Sequence, residues 1–278
     1  MSLGRVLSRS GSVPTAVVLS AVYLYSRLQA GSGHVLADPQ ESSMRSSLAS
    51  SGLARRSMRF HMRDGSLIRC RIVDAGGLLS VNVDRDYDVS GLRWDQLRAI
   101  VDIGAHVGTF TVWAALRAPH ARVLAVEPNP GTFELLQRNI RDNGLQQRVV
   151  AVNAAVGAVA GSGMLELVEH SLGTRVASAG RGTVSVEVRT VESLLANAGL
   201  TDVDLFKIDC EGMEYEVFEA MDSGQLARLK VIACEYHPVP GHNASELDDR
   251  FRGAGFKVDR PAQSLGVLWA TRADQPTV

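Results

Sequence analysis

From residue 99 onward, short apolar runs alternate with stretches of about ten residues that read as helix, and few folds accept that alternation. Ala99–Asp102, Arg122–Val126, Val149–Asn153, Val203–Ile208 and Leu229–Cys234 are strand-like. Gly108–Arg117, Thr132–Asp142, Val191–Ala198, Met213–Met221 and Ala244–Gly253 carry helical spacing, and Asn143-Gly144 ends the second of these. Such a series predicts βαβ units and a mostly parallel sheet. Phe256–Asp259 and Gly266–Ala270 close it as an antiparallel strand pair. Residues 157–190 are punctuated by Gly and Ser, with strand-like runs at Met164–Val168 and Val184–Val188.

Two regions precede this core. In 58–90, Asp64-Gly65-Ser66 between two β-rich runs signals a hairpin, and Leu78–Val83 reads as a third strand, giving a small antiparallel cap. Residues 1–57 form an extension with six arginines against Asp38 and Glu41. Its apolar run, Val13–Tyr25, is short of the roughly 20 residues of a membrane span. A secretory signal, an organellar transit segment, and a variable helix with a linker over Gly31–Ser57 all fit it. The main domain is therefore placed at 58–278.

The net charge of -1 gives no basic footprint for nucleic acid or an anionic membrane. Three cysteines without a CxxC pair argue against a disulfide framework and a structural zinc site. A reducing, cytoplasmic compartment is the simpler reading. No motif encodes an oligomeric state.

In open α/β sheets, ligands bind beyond the carboxyl ends of the strands. The first strand runs into Asp102-Ile103-Gly104-Ala105-His106-Val107-Gly108-Thr109-Phe110, a turn opening onto a helix N-terminus. The glycine spacing is G-x-x-x-G, not the dinucleotide pattern G-x-G-x-x-G. The second strand ends in Glu127-Pro128-Asn129, where an acid can accept from both hydroxyls of an adenosine ribose. NAD and S-adenosylmethionine share that moiety, so Glu127 alone leaves both open. The fourth strand contains Lys207, whose burial requires a counter-ion such as Asp209 or Glu235, and ends in Asp209-Cys210-Glu211-Gly212-Met213-Glu214. The fifth ends in Glu235-Tyr236-His237.

These blocks in this order, and above all Lys207-Ile208-Asp209-Cys210-Glu211-Gly212-Met213-Glu214, resemble the FkbM family of methyltransferases over roughly residues 58–272, Tyr87 included. His106 stands where such turns more often have asparagine. The resemblance implies a Rossmann-like class I fold and S-adenosylmethionine as cofactor. The acceptor would be a hydroxyl on a small molecule, natural product or sugar. It places Asp102, Gly104, Ala105, His106, Gly108, Thr109 and Phe110 around the methionine part. Glu127, with Pro128 and Asn129, falls at the ribose, and Asn153 and Ala154 at the adenine. Asp209, Glu211 and His237 become candidates for aligning the acceptor and taking its proton. Burial would raise the pKa of a carboxylate there. Glu211 has an alternative role as the acid capping the following helix. Asp209, Glu211, Glu214, Glu235 and His237 could also hold a divalent ion, but their spacing follows the fold rather than a ligand signature, and no metal is expected. An NAD-type oxidoreductase and a non-catalytic S-adenosylmethionine-binding module remain the alternatives.

Overall fold

The computed structural model describes residues 57–88, 91–166, 176–177, 183–261 and 266–272. The N-terminal extension and the middle of the 157–190 segment lie outside these. Five parallel strands form the centre: β3 (Ala99–Ile103), β4 (Arg122–Val126), β5 (Val149–Val152), β10 (Val203–Ile208) and β11 (Leu229–Tyr236). β12 (Phe256–Asp259) and β13 (Gly266–Arg272) complete a seven-stranded sheet ordered β12-β13-β11-β10-β3-β4-β5, with β13 antiparallel to both neighbours. The expected Rossmann-like α/β architecture is thereby present. The chain leaves β3 towards β4 on one side and returns at β10 on the other. The strand order therefore reverses between β3 and β10, where such sheets bind ligands.

The apolar runs are continuous because both faces are covered. On one face lie α2 (Thr109–Arg117) and α3 (Pro130–Asp142), burying Phe110, Trp113, Leu136 and Ile140. On the other lie α4 (Val191–Ala198), α5 (Glu214–Ala220), α6 (Ser223–Ala227) and α7 (Ala244–Gly253), burying Leu194, Phe218, Leu226 and Phe251. Alternation along β3 sends Ile100 and Asp102 to the first face, and Val101 and Ile103 to the second. Among the described residues no helix is long and apolar enough to cross a membrane.

The hairpin is present as β1 (Ser57–His61) and β2 (Leu67–Arg71). Its outer edge is closed by side chains of α3. Asn143 Oδ1 accepts from Leu67 N (2.9 Å) while Asn143 Nδ2 donates to Leu67 O (2.8 Å). Asn139, fully buried, does the same with Arg69 N and O (2.7 and 2.9 Å), and its Nδ2 also reaches Val107 O (2.7 Å). The third cap strand expected at Leu78–Val83 is absent. The chain forms α1 (Ala75–Leu79), which continues into a wide helical turn at Ser80–Asp84. Ala75, Leu78 and Leu79 are buried at i, i+3 and i+4, so helical spacing prevails over the strand-like alternation of Leu79, Val81 and Val83. A small second sheet, order β6-β9-β7-β8, is made by β6 (Ala155–Val156), β7 (Gly161–Glu166), β8 (Val176–Ala177) and β9 (Thr183–Arg189).

Candidate active site

Two cavities lie beyond the carboxyl ends of β3 and β10 and share Gly104, His106, Asp209 and Glu211. The first encloses about 650 Å³, mouth included, and is lined on its far side by Glu127, Pro128, Ala154 and Leu165. The second encloses about 1040 Å³, mouth included. Its walls come from the cap (Gly76, Gly77, Tyr87), the start of α2 (Thr109, Phe110) and the strand-end groups Lys207, Glu235 and His237.

The turn after β3 is built on two left-handed glycines, Gly104 (φ 73°) and Gly108 (φ 86°). A Cβ on Gly104 would strike the Asp209 carbonyl oxygen, and one on Gly108 would come within 2.5 Å of Leu136 Cδ1. Glycine is thus demanded at both positions by neighbouring chain, whatever ligand comes near. His106, also left-handed (φ 53°), donates its backbone N–H to Glu127 Oε2 (2.8 Å). Glu127 Oε1 accepts from Asn129 N (2.9 Å) and the Thr132 hydroxyl (3.1 Å). A carboxylate offers about four acceptor positions, so Oε2 keeps one to spare on the cavity wall. Burial pushes the Glu127 pKa up, against the lowering effect of these bonds.

Asp102 is fully buried beneath the turn rather than facing either cavity. It accepts from the Thr111 hydroxyl (2.5 Å) and pairs with Lys207 Nζ (3.1 Å), its in-register neighbour on β10. Of the two counter-ions expected for Lys207, Asp209 is farther, at 3.6 Å, and Glu235 acts only at longer range. Burial alone would lower the Lys207 pKa; Asp102 and Asp209 reverse that and raise it. Asn129 caps α3 by accepting from Gly131 N (2.9 Å). Asn153 donates to the carbonyls of Glu127 and Pro128 (2.8 and 3.0 Å), shaping the loop after β4 from behind, while Ala154 lies on the wall of the first cavity.

The loop after β10 carries Glu211 in the left-handed region (φ 56°). Glu211 does not cap the following helix, whose start has no side-chain cap bond; the loop is tied instead by Glu214, which is fully buried and accepts from Cys210 N (2.9 Å) and Gly212 N (2.8 Å). Glu214 also meets His237 Nδ1 at 3.0 Å. On its other side, His237 Nε2 lies 3.6 Å from Glu211 Oε2 and 3.8 Å from Asp209 Oδ1. Asp209, Glu211 and His237 each bring a ligand-type atom within 4.8 Å of the others. Burial raises the Asp209 pKa, opposed by Lys207 and His237. Glu235 is likewise raised by burial and by Asp209, and accepts from the Tyr87 hydroxyl (2.7 Å).

The three candidate catalytic groups are therefore together, and the turn and Glu127 adjoin them. Sequence reasoning named Glu214 and Glu235 only as possible metal ligands, and Glu235 as a possible counter-ion of Lys207, with no catalytic or cofactor role. Glu235 was visible as a strand-end acid, whereas nothing in the sequence reveals that Glu214 turns inward. Gly76 and Gly77 were hidden by the strand reading of the cap.

Comparison with known proteins agrees with this architecture. Residues 102–258, more than half of the chain, match the methyltransferase FkbM domain. Methyltransferase sdnD of Sordaria araneosa is 25% identical over 209 residues, 64% of this chain and 80% of its own. The 31-O-demethyl-FK506 methyltransferase FkbM of Streptomyces tacrolimicus is 25% identical over 206 residues, 63% of this chain and 78% of its own. Among solved structures, an O-methyltransferase family protein from Burkholderia thailandensis matches with a TM-score of 0.44 and 14% identity, covering 71% of this chain and 57% of its own. The chain belongs to the FkbM family of methyltransferases.

Proposed function

We propose that this protein transfers a methyl group from S-adenosylmethionine to a hydroxyl of a small molecule, natural product or sugar. The observation that carries the reading is the pair of cavities meeting at Gly104, His106, Asp209 and Glu211, one for the cofactor and one for the acceptor. The residues present fit the cofactor. Glu127 has an acceptor position to spare for ribose. The Thr109 hydroxyl, buried at the start of α2 without a partner among the described residues and on the wall of the second cavity, suits the amino-acid end of a cofactor that reaches across the shared residues, together with the helix N-terminus. When bound, the sulfonium supplies the reactive methyl group.

The chain's own work is alignment, exclusion of water and proton transfer. Tyr87 and Phe110 wall the acceptor cavity with aromatic surface, their rings packed edge-on at 5.0 Å. Asp209 stands where the two cavities join, so it can accept the acceptor's proton as the new bond to carbon forms. The acceptor's O–H bond would break towards Asp209, which would hold the proton.

The test is a thermal-shift panel with S-adenosylmethionine, S-adenosylhomocysteine, NAD and NADP, followed by methyl transfer to a panel of hydroxylated natural products and sugars. A ligand that binds only the folded state raises the midpoint. Stabilisation by the first two alone is expected. A response to NAD would favour an oxidoreductase instead, and binding without transfer to any acceptor would favour a non-catalytic module.

A further inference from the structure

Asp209 lies between Lys207 and His237. Lys207 Nζ is 3.6 Å from Oδ2, and His237 Nε2 is 3.8 Å from Oδ1. Behind each of these side chains stands a fully buried carboxylate, Asp102 at 3.1 Å from Lys207 and Glu214 at 3.0 Å from His237. The arrangement is the same twice: buried acid, nitrogen base, Asp209.

The His237 side has a direction. Glu214 accepts two backbone N–H groups of the Asp209–Gly212 loop, at Cys210 and Gly212, so its oxygens serve as acceptors. The Nδ1 facing it must therefore carry a proton. The other ring nitrogen, Nε2, faces two more carboxylates, Asp209 and Glu211. An unprotonated Nε2 would set its lone pair against acceptors only; a protonated one suits both. Elsewhere around the ring, the Tyr215 hydroxyl donates to the His237 carbonyl (3.2 Å), Glu235 adds negative charge, and Lys207 lies beyond Asp209.

We propose that Glu214 is a positioning residue, acting through His237: it fixes the ring as an imidazolium whose Nε2–H is directed at Asp209 and Glu211. His237 is then a proton-holding cation and not the base. It keeps Asp209 ionised in a desolvated place, and Asp209 takes the acceptor proton. The electrostatics agree. Burial alone would lower the His237 pKa, but the Glu214 hydrogen bond and the charges of Glu214, Asp209 and Glu211 outweigh it and raise it to about 9. Only the last step, proton transfer to Asp209, rests on the methyl-transfer reading; the charge state of His237 does not.

The experiment is long-range ¹H–¹⁵N NMR of the histidine ring nitrogens in the full chain, with the His237 signals assigned by their loss in His237→Gln. In the wild type at pH 7, both His237 nitrogens should be protonated. In Glu214→Gln, the His237 proton affinity should fall at least tenfold, and the alkaline limit of kcat should move down by about one pH unit or more with it, with S-adenosylhomocysteine affinity within about twofold of wild type. A neutral His237 at pH 7 in the wild type would overturn the proposal, and so would an unchanged titration in Glu214→Gln. The wild-type spectrum decides even if that variant does not fold. An imidazolium in a protein that transfers no methyl group to any acceptor would refute the methyl-transfer reading while leaving the role of Glu214 intact.

Discussion

Replacing Glu127 with alanine removes an acceptor from two places at once. On the cavity side, Oε2 has one position to spare for ribose. A hydrogen bond to a charged group contributes about 1.5–3 kcal/mol, so one hydroxyl contact in that position sets an upper bound of about 3 kcal/mol. Water entering the space left by the side chain offsets part of this. We expect a net loss of about 2 kcal/mol, or roughly 30-fold in the dissociation constant of S-adenosylhomocysteine. On the protein side, the same carboxylate holds His106 N, Asn129 N and the Thr132 hydroxyl. Their release should lower the folding midpoint as well. Calorimetric titration well below the variant's midpoint separates the two effects. Because burial raises the Glu127 pKa, affinity in the wild type should weaken as pH falls through that raised value, where the acceptor becomes protonated. A dissociation constant unchanged by Glu127→Ala would remove this residue from the cofactor site.

Glu211→Gln should lower kcat at least about tenfold with little change in folding midpoint or cofactor affinity, since the loop is tied by Glu214 instead; a drop in stability alone would make Glu211 structural. Turnover should follow a bell-shaped pH profile, lost on the acid side as Asp209 protonates at its raised pKa and on the alkaline side as His237 gives up its proton near 9; a flat alkaline limb would contradict the role of His237. Chelation should leave methyl transfer intact, because a protonated His237 cannot ligate a metal; activity abolished by chelator and restored by magnesium would make Asp209, Glu211 and His237 a metal site. A chain starting at Ser57 should remain soluble and bind S-adenosylhomocysteine like the full chain; insolubility of the shortened chain alone would place residues 1–56 in the core.

The parallel strands were legible nearly to the residue because burial on both faces leaves unbroken apolar runs such as Val203–Ile208. The cap was not. Leu79-Ser80-Val81-Asn82-Val83 satisfies a period of two, and Gly76-Gly77 weakens any helical reading. The helix there is decided by the buried contacts of Ala75, Leu78 and Leu79, which are tertiary. In the site, the acids at strand ends announced themselves, since a polar residue after an apolar run marks the sheet's carboxyl edge. The partners did not. Lys207 meets Asp102 through the register of β10 against β3, a pairing of residues far apart in sequence. Glu211 and Glu214 are acids either side of Gly212-Met213, and which of them turns inward is decided by the left-handed backbone at Glu211 and Gly212.

The side-chain amides on the edge of β2 set a dimensional match between two kinds of secondary structure. Four residues along a helix advance about 6 Å. Two residues along a strand advance about 6.7 Å. Asn139 on α3 and Asn143 at its C-cap, four apart, therefore reach Arg69 and Leu67, two apart on β2, and each pair closes a ring of reciprocal hydrogen bonds. A helix thus counterfeits the missing third strand. The hairpin gains a fixed phase relative to α3, and a one-residue insertion in either element would cost both rings together. Because Asn139 also grips Val107 in the glycine turn, the hairpin and that turn are geared to the same helix.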